Sequence, residues 1–239
     1  MADLTEVWVY LSASPLLFLT LTLAAFQAGT WLYDRSGRKP FLNPVLTAVI
    51  LIVGLLSVSG TTYETYFEGA QFVHFLLGPA TVALAIPLYR QFDRVRRSAL
   101  ALVTSLICGS LTAMGTAVGL GWLFGASRET LMSLAPKSVT APVAMGITEQ
   151  LGGLPSLTAV LVILTGILGA VLGPPLLNLI GVRDWRARGL AMGTASHGIG
   201  TARALQANEL AGAFSGLAMG LNALATAILL PILWRVVFG

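Results

Sequence analysis

Residues 154–181 read LPSLTAVLVILTGILGAVLGPPLLNLIG, and not one of them carries a charge. A run of about 20 apolar residues is long enough, as a helix, to cross the hydrocarbon core of a bilayer. Comparable runs cover roughly 7–33, 42–60, 63–89, 98–124 and 209–237. Over the 239 residues, 56% are apolar and 10% charged, and mean hydropathy is +0.82. A soluble domain carries about 25% charged residues, so this chain has too few polar groups to cover itself in water, and lipid must cover most of it. The 26 glycines suit helices that pack closely in a membrane. The fold class is therefore all-α and integral to a membrane.

Two segments between the apolar runs, 128–152 and 186–208, are more polar and rich in Gly, Pro, Ser and Thr. Basic residues cluster at Arg35, Arg38 and Lys39, at Arg90, Arg94, Arg96 and Arg97, and at Arg183, Arg186 and Arg188. Short loops rich in Lys and Arg stay cytoplasmic. All three clusters share one side if 128–152 enters and returns while 186–208 crosses. That gives seven crossings and one re-entrant segment, with the acidic N-terminus (Asp3, Glu6) outside and Arg235 at a cytoplasmic C-terminus. Backbone of the re-entrant kind is tolerated where it is buried in protein or lines a cavity. The first run lacks a basic start and a cleavage-like site, so it is retained as a helix rather than removed as a signal.

An internal echo supports a duplicated membrane domain with candidate repeats 7–124 and 128–237. Pro44-Val45-Leu46-Thr47-Ala48-Val49 returns as Pro155-Ser156-Leu157-Thr158-Ala159-Val160, and 78–85 returns in weaker form as 193–200. By the charge pattern, 42–60 runs outward and 154–181 inward, so the two halves would be inverted. Inverted repeats with Gly- or Pro-broken helices are a recurring transporter plan, with binding near the midplane.

Three interruptions are the candidates for chemistry. At Gly78-Pro79-Ala80-Thr81, a proline suits the first turn of a half-helix whose free amides favour an anion; a plain kink is the competing reading. At Pro136-Lys137-Ser138-Val139-Thr140-Ala141-Pro142, two prolines forbid a continuous helix and place Lys137 among hydroxyl groups. A lysine at membrane depth faces a cavity or a partner, snorkels to water, or pairs with Glu149. At Gly193-Thr194-Ala195-Ser196-His197-Gly198-Ile199-Gly200-Thr201-Ala202-Arg203, a glycine-rich run can unwind around a histidine able to carry a proton near neutral pH. His197 also serves as an ordinary interhelical bond, and Arg203 is either a two-pronged carboxylate grip or a structural residue. Glu64 and Glu68 share a helical face but sit among Tyr63, Tyr66 and Phe67, which reads as an interfacial belt. His74 and Cys108 read as packing residues, and Asn222 as a bond to a neighbouring helix. No catalytic signature of a hydrolase, phosphate-binding loop or metalloprotease occurs, so no enzymatic role, cofactor or metal is expected. The net charge of +4 is accounted for by topology and calls for no nucleic acid.

The motifs Leu76-Leu77-Gly78-Pro79-Ala80-Thr81-Val82-Ala83-Leu84-Ala85-Ile86-Pro87-Leu88-Tyr89, Pro136-Lys137-Ser138-Val139-Thr140, and Gly193-Thr194-Ala195-Ser196-His197 with Gly200-Thr201-Ala202-Arg203 resemble those of the LrgB/CidB family. Tyr63-Glu64-Thr65-Tyr66 and Leu151-Gly152-Gly153 fit as well, and the likeness spans roughly 10–235. Ala141 stands where a second threonine is expected, and Gly198 where alanine is usual. The resemblance implies antiholin-like modulation of autolysis with a small holin-like partner of the LrgA/CidA type. Fused plastid relatives are similar to a glycolate/glycerate translocator, and some bacterial pairs are implicated in pyruvate uptake. More distantly, the family resembles the inverted-repeat folds of cation/proton antiporters and bile-acid symporters.

Residues and resemblance together lead to a carrier of small monocarboxylate anions, with a murein-hydrolase regulator lacking transport of its own as the alternative. The carboxylate is expected at Pro79, Lys137 and Arg203, and its hydroxyl or keto oxygen at Thr81, Ser138, Thr140, Thr194 and Ser196. His197 is a substrate contact as well, and His197 or Glu149 couples the proton. The expected location is the inner membrane of a bacterium, since no plastid leader or fused partner domain precedes the first span. A scaffold face of such a fold is compatible with a homodimer.

Overall fold

The computed structural model describes residues 15–37, 42–76, 79, 85–90 and 92–238, and every regular element among them is a helix. The chain divides into two compact units, Met1–Ala83 and Leu84–Gly239.

The first unit contains α1 (Pro15–Arg35), α2 (Pro44–Ser59) and α3 (Tyr63–Phe75). Pro44 opens α2 because its missing N–H costs nothing there, and the Asn43 side chain accepts from the amides of Val45 and Leu46 at 2.9 and 3.3 Å. Gly29 of α1 lies so close to α2 that a Cβ would stand 2.7 Å from the Pro44 carbonyl oxygen. Phe18 meets Tyr66 edge-on at 5.7 Å, and Thr22 shares a 2.9 Å hydrogen bond with the same tyrosine, which joins α1 to α3. Glu64 and Glu68 are exposed, and Tyr63 stacks on Phe67 at 5.7 Å, as a solvated aromatic belt requires. The side chain of His74 lies outside the described residues.

The second unit contains α4 (Ala85–Arg90), α5 (Phe92–Arg97), α6 (Ala99–Leu123), α7 (Arg128–Leu134), α8 (Ala141–Leu151), α9 (Pro155–Leu179), α10 (Trp185–Ala207) and α11 (Glu209–Phe238). Among the described residues of both units, four helices are long and apolar enough to cross a membrane: Leu16–Arg35, Ala99–Leu123, Pro155–Leu179 and Glu209–Val236. Only 17–28% of each apolar window is buried, so their large side chains face outward: Leu100, Trp122 and Leu179 are 80, 69 and 82% exposed. Such surfaces belong in lipid. Cys108, expected to pack, is exposed on α6.

The polar segments are two helical hairpins. In the first, Ser127 caps α7, Pro136 stops it, and α8 starts at Ala141 and ends at Gly152 with φ 81°. Contacts then step inward from both arms. A Cβ on Gly153 would lie 2.9 Å from Met132; Ala135 and Ile147 share one apolar cluster, and Val139 and Ala144 another. The Leu154 amide donates to Ser133 Oγ at 2.8 Å, which pins the open end.

The second hairpin corrects an expectation. Residues 186–208 do not run straight through the fold. Helix α10 reverses at His197 (φ 41°, ψ −132°), the one non-glycine residue with positive φ among those described. A Cβ on Gly200 would stand 2.5 Å from the carbonyl oxygen of Met192, eight residues earlier, and Met192 clusters with Ala204 and Ala211. In a straight helix, residues eight apart lie about 12 Å from one another. The arms, Trp185–Ser196 and Gly198–Ala207, are each about half the length needed to cross. The glycines, expected to unwind, stay helical and act as notches. Gly193 lies flush against the Ser215 backbone and Gly189 against that of Ala211.

This reversal also redirects the last helix. Glu209 at its start lies 3.5 Å from Arg90, so α11 begins at the end of the unit where the basic clusters gather. Trp234 near its other end packs with Leu131 and Met132. Helix α11 therefore runs parallel to α6 and away from the basic end, whereas the sequence reading placed Arg235 on the same side as the clusters.

Candidate functional site

Asn222, 1% exposed in the middle of α11, joins both hairpins. Its Nδ2 donates to the carbonyls of Thr194 at 3.0 Å and Ser138 at 3.3 Å, and its Oδ1 accepts from Ser110 Oγ of α6. These carbonyls are available because each hairpin breaks its helix there, leaving the last turn without its next amides. One amide side chain thus ties the turn of the first hairpin and the first arm of the second to the two parallel helices.

Around this centre, Lys137 is half-buried with Nζ 3.4 Å from Ser138 Oγ. His197 is buried, and its Nε2 lies 2.9 Å from the carbonyl oxygen of Val162. A carbonyl only accepts, so Nε2 carries the hydrogen in this contact and Nδ1 is left for a second partner. Lys137 and His197 are near enough for the charge of one to act on the other. The hydroxyl of Thr194 is buried without a hydrogen-bond partner. A cleft beside Asn222, lined by Ser110, Pro136, Ser138 and Thr226, is too tight for a water molecule. The arrangement gathers a cation, hydroxyls and backbone carbonyls about Asn222, with no room for a water molecule beside it.

The structure gathers Lys137, Ser138, Thr194 and His197 about one centre and spreads the other predicted residues. Ser196 is buried against α9, where Gly169 leaves no room for even a methyl group beside its hydroxyl. Thr140 stands at the residue before α8, half-buried, with no side-chain hydrogen bond to the helix start. Glu149 is exposed on α8. Arg203 lines a separate cavity with Arg188. Pro79 is an exposed residue of the first unit, and Thr81 lies outside the described residues. Gly198, the departure from alanine, has space for a methyl group, with Met219 Sδ 3.9 Å away. Ala141 lies beside the Val139–Ala144–Val162 cluster. Among the described residues, no group of His, Cys, Asp or Glu is placed to hold a metal.

Sequence reasoning missed the weight of Asn222 and passed over Ser110. A lone asparagine inside a 30-residue apolar helix was the available signal, since polar groups at membrane depth are costly and find partners. A serine among small apolar residues gives none.

Helices with outward apolar faces around a buried polar centre define a multi-pass helical membrane protein. The chain belongs to the LrgB-like family, whose pattern matches residues 22–236. It is 40% identical to the uncharacterized protein YxaC of Bacillus subtilis over 87% of this chain and 90% of that one. The holin-like protein CidB of Staphylococcus epidermidis is 34% identical over 94% of this chain and 96% of its own. Its namesake in Staphylococcus aureus is 32% identical over the same shares. No solved structure matches.

Proposed function

We propose that the chain is a multi-pass component of a holin-like membrane system that modulates murein hydrolase activity and autolysis in a bacterium, together with a small holin-like partner of the LrgA/CidA type. The observation that supports this most is its kinship, along almost the entire chain, with proteins called holin-like protein CidB. The test is deletion of the gene and of the partner gene, singly and together. Cell-associated murein hydrolase activity and detergent-induced lysis are then measured. Wild-type levels in all three strains would remove the reading.

The geometry favours a second activity within the same protein, carriage of small monocarboxylates of the glycolate, glycerate, lactate and pyruvate class. Two hairpins entering from opposite ends and meeting at a buried polar centre form a carrier's plan. In this reading, α6, α9 and α11 cross and the two hairpins between them are re-entrant. Sequences α6–hairpin–α9 and α9–hairpin–α11 mirror each other, and the basic end of this unit is cytoplasmic, with the far end of α11 outside. The matched starts of α2 at Pro44 and α9 at Pro155 agree with a duplication. Lys137, Ser138, Thr194 and His197 hold the anion once the tips part, and His197 is the nearer candidate for a coupled proton. Saturable uptake of a labelled monocarboxylate, lost in Lys137→Ala, tests it. Altered lysis in the deletion strains without any uptake leaves the regulator alone.

A further inference from the structure

The cleft beside Asn222 is walled by oxygen-bearing side chains. Ser110 of α6, Ser138 of the first hairpin's turn, and Asn222 and Thr226 of α11 all line it, with Met114 and Val139 among the apolar walls. Thr226 follows Asn222 by one helical turn, so the two side chains share a face. Ser110 meets that face from α6 and donates to Asn222 Oδ1. Thr226 is 2% exposed, and its hydroxyl makes no hydrogen bond among the described residues. A buried polar group of that kind is an exception that calls for a partner. The Ser138 carbonyl accepts from Asn222 Nδ2 at 3.3 Å and has a second lone pair.

Each hairpin also brings its first arm to this centre by the C-terminal end, through the carbonyls of Ser138 and Thr194. Orphan carbonyls at a helix end carry partial negative charge, and in broken-helix membrane proteins such ends coordinate cations. The donors here are neutral hydroxyl, amide and carbonyl oxygens, and no carboxylate lines the cleft. Divalent ions call for carboxylates or retained water, whereas neutral oxygens suffice for a monovalent ion. The cleft has no room for a water molecule, and a bare sodium ion is smaller than water, while potassium is about as large. We propose that this cleft is a sodium site, with Ser110 Oγ, Asn222 Oδ1, Thr226 Oγ1 and the Ser138 carbonyl as ligands. The bound ion turns the Ser110 hydrogen away from Oδ1 and ties α6, α11 and the first hairpin together. Lys137 does not line the cleft, but its ammonium beside Ser138 opposes a second positive charge nearby. The site stands whether or not the chain carries monocarboxylates; where it does, an anion on Lys137 relieves that opposition, and sodium is a coupling ion besides the proton.

The test is thermal unfolding of the full chain in neutral detergent. Sodium chloride is titrated against choline chloride at constant total chloride, with potassium chloride in a parallel series. A saturable rise in Tm with sodium is expected, and potassium should need at least about tenfold more salt for the same rise. Thr226→Val keeps the shape of the side chain and breaks no hydrogen bond among the described residues. Its loss of one ligand oxygen should raise the half-saturating sodium concentration about tenfold. Ser110→Ala should do the same from a lower starting Tm, and Lys137→Ala, which removes the opposing charge, should lower that concentration. Absence of a sodium response in wild type overturns the proposal, as does an equal response to potassium or an unchanged titration in Thr226→Val. So does loss of the response in Lys137→Ala, which would place the bound ion at the lysine. The assay requires neither uptake nor lysis, so its failure leaves both readings of the overall function standing.

Discussion

Replacing Asn222 by alanine removes three hydrogen bonds at once, those from Ser110, to Ser138 and to Thr194. Two scales bracket the cost. Interhelical hydrogen bonds in a bilayer average about 0.6 kcal/mol, which gives about 2 kcal/mol for three. Groups orphaned inside a soluble protein cost about 1–3 kcal/mol each, which gives several times more. The smaller scale assumes that the abandoned groups find new partners. Here the neighbouring cleft has no room for a water, so the cost lies above the lower bound, at about 2–4 kcal/mol. For a chain of this size each kcal/mol moves Tm by about 2–4 °C, so a fall of about 4–16 °C is expected in detergent. Asn222→Leu separates the polar loss from the cavity, since it refills the volume without the bonds. Ser110→Ala removes one bond and leaves two, so its cost should be about a third, with a coupling of about 0.5–1.5 kcal/mol to Asn222→Ala in a double-mutant cycle. An Asn222→Ala protein melting within about 1 °C of wild type would refute the idea that this side chain holds the hairpins.

Gly169→Ala pushes a methyl group into the space of the Ser196 side chain and should cost about 1–3 kcal/mol; Gly115→Ala, with nothing within 4 Å, should be neutral or better by up to about 1 kcal/mol, and thermal melts compare the two. At His197, glycine relieves the positive φ, whose strain is about 1–3 kcal/mol. Glycine and alanine both lose the bond to Val162, so His197→Gly should melt above His197→Ala; the reverse order would mean the reversal is not strained. The Asp184 carboxyl, which caps α10, is held at about 2 by its hydrogen bond to Arg186, down from an ordinary 3.8. A lowered carboxylate stabilises the fold above its ordinary value and loses that contribution as pH falls from about 4 towards 2. Both side chains are nearly half exposed, which limits the effect to about 1 kcal/mol or less. Asp184→Asn should flatten that part of the stability–pH curve.

What was legible in the sequence was whatever a local rule decides. Runs of apolar residues set the long helices, and Pro136 and Pro142 forced a break between α7 and α8 because neither can donate to a preceding turn. The reversal at His197 was not legible. A 23-residue segment has the length of one crossing and equally of two half-crossings. The choice depends on Gly200 closing on Met192 and on α9 offering Gly166 and Gly169 to the tip, contacts that no spacing rule reveals. Polarity was the only hint, since α10 is absent from the helices apolar enough to cross. The same error carried forward to the C-terminus, because each added or lost crossing inverts everything after it. For the site, Lys137 and His197 stood out as rare ionisable groups, while Arg203 was misplaced because its distance from the tip depends on the fold-back.

The clasp at Asn222 has a consequence for how the protein is made. Synthesis runs from the N-terminus, so both hairpins leave the ribosome before α11 exists. Neither hairpin has the apolar length to be retained in lipid as a span, and until α11 arrives the carbonyls of Ser138 and Thr194 lack the amide that satisfies them. The fold is therefore completed by its last helix. A chain cut short before Asn222 would present two unclasped hairpins to the membrane, an incompletely folded state of the kind that cells triage by proteolysis.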